Sequence, residues 1–318
     1  MFRILLIIAG SVACDLFAAA EQKLNTRPIP FVQALPLPHD EVSFQRGGIE
    51  IARYRYGRDL RRPFVYPVIG PAGRSLTRMG HPHDPVGHSH HNSIWISHQD
   101  VNGTSFWDDR GRGIIRHERL ERLEDGDDSA SVRTVNSWIT SSNKTLLTER
   151  RLISMQLLPG NEWMLLIDLR LEAKEQEITL GKTPFGLIGV RMAKTIGVHD
   201  GGGTIRNSEG AVNEKEIFWK PAKWVDYSGQ ITSNAVEGLT LMDHPGNPNH
   251  PTIFHVREDG WMGASLTQKE PRVITPDKPL RLRYGIYVHA GFPERQTIEK
   301  QWMSFAQSTL PDLAQKKK

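Results

Sequence analysis

The chain has 318 residues, 38% of them hydrophobic, enough for a sizeable core and far from the composition of a disordered protein. Forty basic residues stand against 36 acidic ones, and the net charge of +4 is spread along the chain except at Lys316-Lys317-Lys318, which gives no case for nucleic acid. Beyond the N-terminus no run comes near the roughly 18 apolar residues of a spanning helix, which excludes an integral membrane protein.

Residues 1–20 read as a secretory signal: Arg3, an apolar run from Ile4 to Ala13, and Ala18-Ala19-Ala20 before Glu21. Cleavage after Ala20 sends the protein to the periplasm or outside the cell. Ser11-Val12-Ala13-Cys14 partly resembles a lipoprotein box, so a lipid anchor on Cys14 is the alternative. Residues 21–40 follow as a polar, proline-containing linker. Cys14 is the only cysteine, so disulfides, thiolate zinc sites and cysteine nucleophiles drop out of the mature fold, and any metal would rest on His, Asp or Glu.

Residues 81–98, HPHDPVGHSHHNSIWISH, hold six of the 13 histidines. Such density suits proton transfer, recognition of hydroxyls or anions, or metal ligation. His81, His83, His90 and His91 are the metal alternative, with Asp84 in support, although no ligand spacing of established meaning is present. Asp100, Trp107, Asp108 and Asp109 follow closely, an aromatic and acidic set of the kind that sugar sites use, with core packing as the competing role for Phe106 and Trp107.

From there on, short runs of period-two alternation bounded by turn chemistry predict mostly antiparallel β-structure. Residues 114–123 and 129–139 flank an Asp-Gly turn, residues 146–158 and 162–172 flank Pro159-Gly160-Asn161, and Asn102-Gly103 marks a further tight turn. Gly201-Gly202-Gly203 reads as a flexible turn, and no GxGxxG, GxxxxGK[ST] or GxSxG motif occurs. In IFHVR, Phe254 and Val256 share one face, opposite His255 and Arg257. In RLRYGIYVH, Leu282, Tyr284, Ile286 and Val288 oppose Arg281, Arg283, Tyr287 and His289. These outward Arg, His and Tyr side chains build either one polar concave surface or an ordinary solvated face. A single helix is predicted over 294–307, where Ile298, Trp302 and Phe305 recur at helical spacing. Residues 309–318 read as a disordered tail, which leaves 41–308 as one large β-sandwich domain.

Six segments, RPFVYPVIGPAG (62–73), the histidine segment continued through QDVNGTSFW (99–107), TPFGLIGVRMA (183–193), EKEIFWKPAKWVDYSG (214–229), LMDHPGNPNHPTIFHVR (241–257) and LRYGIYVHAG (282–291), resemble a family of secreted bacterial proteins of unassigned function called methane-oxygenase PmoA-like. His91-Asn92-Ser93 departs from the His-His-Arg expected there, which puts a basic contact in doubt. The methane-oxygenase name conflicts with the lack of spanning segments. What the resemblance implies is a large antiparallel sandwich similar to the galactose-mutarotase-like supersandwich, in bacteria that degrade polysaccharides.

The preferred expectation is a carbohydrate-active hydrolase, lyase or epimerase that needs no cofactor and takes a carbohydrate or other small polar ligand. Its catalytic set is His90, His91 and His98 as acid or base with Asp243 or Glu214 as carboxylate. Substrate recognition falls to His81, His83, Trp107, Arg191, Tyr227, His255, Arg257, Arg283 and His289. The alternatives are a non-catalytic carbohydrate-binding protein and a metalloenzyme with a divalent metal on histidines. His90, His91, His98, Asp243, His255 and His289 are expected to meet at one centre.

Overall fold

The structure is a computed structural model that describes residues 28–314 except 82 and 85, so the expected signal segment 1–20 lies outside the described residues. Five strands come first: β1 (Val32–Leu37), β2 (Glu41–Arg46), β3 (Ile49–Arg55), β4 (Phe64–Val68) and β5 (Ile94–His98). Two long hairpins follow, β6 (Gly113–Glu124) with β7 (Ser129–Thr140) and β8 (Thr145–Leu157) with β9 (Trp163–Glu172). Then come β10 (Ile178–Leu180), β11 (Gly186–Arg191), β12 (Thr204–Asn207), β13 (Lys220–Pro221) and β14 (Trp224–Thr232). The last strands are β15 (Ala235–Asp243), β16 (Ile253–Arg257), β17 (Trp261–Ser265), β18 (Arg272–Ile274) and β19 (Leu280–Ala290). The α-helices among the described residues are α1 (Val198–Gly201), α2 (Asn213–Ile217) and, after the last strand, α3 (Arg295–Gln307).

The strands form an antiparallel sandwich. One sheet has nine strands in the order β1-β2-β3-β4-β5-β11-β17-β16-β13, and the other eight in the order β12-β14-β15-β19-β9-β8-β7-β6, with β10 and β18 as a separate pair. Local chemistry sets the expected hairpins: Gly160 and Asn161 take φ of 75° and 65° between β8 and β9, and Asn102 and Gly103 take 47° and 78°. Positive φ is cheap for Gly and tolerated by Asn, so the chain reverses where those residues stand. Alternation then turns Phe254 and Val256 of β16, and Leu282, Tyr284, Ile286 and Val288 of β19, into one shared core between the sheets.

That shared core overturns the single polar surface expected from β16 and β19. Both strands face inward with their apolar residues but belong to different sheets, so His255 and Arg257 point out of one side of the sandwich and Arg283 and His289 out of the other. On the eight-stranded side, Ile298 and Phe305 of α3 close over Met164, Leu166, Trp224, Met242 and Tyr287. Two domain boundaries also shift. β1 lies inside the stretch expected as linker and pairs with β2, and Leu313, within the expected tail, is buried with its carbonyl accepting a 2.7 Å hydrogen bond from Arg133.

Candidate functional site

The outer face of the nine-stranded sheet carries the site. Across four neighbouring strands, Trp95 of β5 pairs with Gly189 of β11, Gly189 with Gly263 of β17, and Gly263 with His255 of β16. The adjacent row runs Arg191, Trp261, Arg257. Directly opposed residues share a face, so the two glycines leave a gap between Trp95 and His255. The Trp261 indole lies in it: a Cβ built on Gly189 or on Gly263 would stand 2.7 Å from that ring.

Two loops wall the gap. The histidine loop is pinched at its base by the Met79–Asn92 bridge and by the Gly80 N–H donating to the His91 carbonyl at 2.8 Å. Arg62, buried, ties this loop to the next one, donating to Asn92 Oδ1 at 2.6 Å and pairing with Asp109 at 3.3 Å. In that second loop neighbouring residues part company. Phe106 enters the core against Trp138, while Trp107 turns outward to Trp95 and Trp261 at 5.4 and 5.6 Å between ring centres.

The result is a cavity of about 470 Å³. Trp107, Trp261 and Phe185 supply its aromatic surface; His88, His90, His91 and His255 supply imidazoles; Arg257, Asp108, Asp259 and Gln99 supply further polar groups. His91 stacks on both Trp95 and Trp261, at 5.4 and 5.3 Å, and neither its Nδ1 nor that of His255 has a hydrogen-bond partner among the described residues. Burial pushes the imidazoles of His90 and His255 down to about 4, with the Arg62 charge adding to the effect on His90 and that of Arg257 to the effect on His255. His91 goes lower still, through burial first and the neighbouring His90 and Arg191 second. At neutral pH these rings are therefore uncharged, each offering one N–H and one lone pair.

Carboxylates orient the other histidines. Asp84 Oδ2 lies 2.7 Å from His88 Nδ1, and Asp259 Oδ2 lies 2.8 Å from His81 Nε2. The His81 Nδ1 accepts backbone N–H bonds from His83 and Asp84, so its Nε2 carries the proton given to Asp259. Burial opposes ionisation of Asp259, but Arg191 at 3.0 Å and His81 hold its carboxyl below the usual range. Among the described residues no group of three or more His, Cys, Asp or Glu is arranged to hold a metal ion. The alternative quartet is split, since His83 reaches away to Asp200 of α1 at 2.8 Å.

Of the expected site residues, the fold brings His90, His91, Trp107, His255 and Arg257 into the cavity, with His81 and Arg191 behind Asp259. Glu214 stands behind Arg257, its Oε1 3.2 Å from Nε, and also accepts the Glu258 N–H. The others lie elsewhere. His98 shares the inward face of β5 with Ile94 and Ile96 and is bonded to Thr267 Oγ1 at 2.8 Å. Tyr227 points into the core and its hydroxyl joins Val198 N–H to the Glu258 carbonyl. Asp243 clamps the loop after β15 through Asn247, His250 and Thr252. Arg283 makes two bonds to Asp168 and reaches Ser308, and His289 is buried against Asp226, both on the far side of the sandwich.

The sequence reading passed over His88, Asp259, Trp261, Trp95 and Phe185. Three carry a readable signal: Asp84 and His88 are four apart, and Asp259-Gly260 is a hairpin turn that places Trp261 on the face of Arg257. The role of Gly189 and Gly263 depends on strand pairing alone.

A two-sheet antiparallel sandwich with one aromatic and histidine-lined cavity on an outer face is thus the class that fold and site define. Residues 41–303 match the model of the Family of unknown function (DUF6807), and the chain belongs to that family. This corrects the resemblance drawn from the six segments: the family shown is DUF6807, not a methane-oxygenase PmoA-like one. No curated protein matches the sequence. Among solved structures, the chain is similar to a heparan sulfate lyase HepC mutant from Pedobacter heparinus, at TM-score 0.35 and 9% identity over 85% of this chain and 35% of that one. It is also similar to a provisionally assigned kojibiose phosphorylase from human microbiome, at TM-score 0.35 and 10% identity over 88% of this chain and 37% of that one. The chain thus spans little more than a third of the length of either.

Proposed function

We propose that this protein is an exported carbohydrate-active enzyme that performs acid–base chemistry on a sugar in the cavity of the nine-stranded sheet. The observation that carries the reading is the convergence of Trp107, Trp261 and Phe185 with four imidazoles in one cavity. The C–H faces of a sugar ring are apolar and meet the negative π-face of an indole favourably, while its hydroxyls each need a donor and an acceptor. Neutral imidazoles at His90, His91 and His255 offer both without the cost of a buried charge.

His88 is the catalytic base in this reading. With Nδ1 engaged by Asp84, its Nε2 is the nitrogen left to take a proton, and the carboxylate stabilises the imidazolium that forms. Export rests on the leader pattern of residues 1–20.

Product formation on a panel of oligosaccharides, followed by chromatography, tests the reading. His88→Gln lowers the rate by on the order of 10²–10⁴ while sugar binding persists, the usual contribution of one positioned base. Binding without any product from the unaltered protein would establish the non-catalytic alternative instead.

A further inference from the structure

Beside the cavity, the chain between α2 and β13 exposes an aromatic pair that the proposed chemistry does not use. Phe218 and Trp219 stack at 4.7 Å with their planes 17° apart, and Trp219 is 45% exposed. Trp219 also holds φ at +57°, a conformation that a bulky residue adopts only when its surroundings impose it. The Trp219 N–H donates to the Phe254 carbonyl at 2.9 Å, which fixes the turn to the edge of β16. Glycine would suit this backbone better, so both sterics and the hydrophobic effect argue against an indole here.

The pair is continuous with the cavity. His255 meets Phe218 at 5.1 Å and Trp219 at 6.3 Å on one side, and Phe185 at 5.4 Å and Trp261 at 5.9 Å on the other. The guanidinium of Arg257, a cavity residue, lies over the Phe218 ring at 5.7 Å. One aromatic path therefore runs from the buried Trp261 through His255 to the open face of Trp219.

We propose that Phe218 and Trp219 form a second sugar subsite, so that the substrate is an oligosaccharide whose next ring leaves the cavity and stacks on Trp219. The inference rests on the carbohydrate reading of the cavity and adds the length of the substrate. A platform held out against its own backbone preference, next to a cavity lined for hydroxyls, matches a ring that carries the chain onward into solvent.

The test is calorimetric titration of the full protein, and of Trp219→Gly and Trp219→Phe, with xylo-, cello-, malto- and galacturono-saccharides of one to six rings. In the class that binds, affinity rises from one ring to the longer members. Trp219→Gly removes roughly three- to tenfold of that gain, the scale of one aromatic contact, without weakening the single ring, and Trp219→Phe keeps most of it. Acrylamide quenching of the unaltered protein gives an independent reading, because long saccharides shield Trp219 and monosaccharides do not. Equal length dependence in Trp219→Gly, or binding with no gain from length, overturns the subsite and leaves the carbohydrate reading standing. Failure of every saccharide to bind the unaltered protein overturns the carbohydrate reading, and the subsite with it.

Discussion

His90, His98 and His255 all sit where burial opposes protonation, each pushed down to about 4. In the unfolded chain the same side chains titrate near 6.5. Between those values the unfolded chain binds protons that the fold refuses, so their contribution to stability is fully present above about pH 6.5 and falls as pH drops through the window, and His91, which lies lower still, continues the fall below it. Each such histidine contributes on the order of 2–3 kcal/mol to the change. Thermal unfolding from pH 7 to pH 4 should show this decline, and imidazole NMR shifts should report neutral rings at pH 6; charged rings at that pH would contradict the assignment. A second expectation concerns the glycine gap. Gly189→Ala or Gly263→Ala drives a methyl into Trp261, costing roughly 1–3 kcal/mol and displacing the indole, so sugar affinity falls in parallel with Tm in both variants. Single residues were legible where composition or a local pattern marked them, as with His90, His91 and Trp107. His289 and Arg283 are misplaced because a polar residue on an outward face reads the same on either sheet, and only strand pairing tells the sides apart; Asp243 stands at the end of β15 on the face of Leu239 and Leu241, opposite Tyr284, where it clamps the following loop.

Strands show the same division between local and distant information. Both long hairpins, the helix α3 and the inward faces of β16 and β19 follow from alternation and turn residues, since these are properties of consecutive positions. Strand β8 hides a feature that alternation misreads. Glu149 and Arg151 face inward with Leu147, Ile153 and Met155, paired at 2.6 Å, and the carboxylate also accepts bonds from Asn136 and Trp138. The pattern of charges suggests solvent, whereas the fold buries and pairs them. Removing one member strands the other, so Glu149→Gln should destabilise the protein by about 3–5 kcal/mol in urea unfolding. A cost below about 1 kcal/mol, the range of an exposed pair, would show that the interior pair is solvated.

At the scale of the molecule the two outer faces have different fates. The eight-stranded sheet is closed by α3 and by the segment around Leu313, while the nine-stranded sheet carries loops that stand off its surface and enclose the cavity. The leader pattern predicts that mass spectrometry of the protein from its native cell finds a chain beginning at Glu21; a chain that keeps Met1 to Ala20 and stays inside the cell would contradict export. The central claim is that the cavity of the nine-stranded sheet takes a sugar. A crystal structure with a bound saccharide tests it most directly: the account predicts a ring packed against Trp107 and Trp261 with hydroxyls on His90, His91 or His255, and a saccharide seated on the far sheet, or away from these side chains, would contradict it.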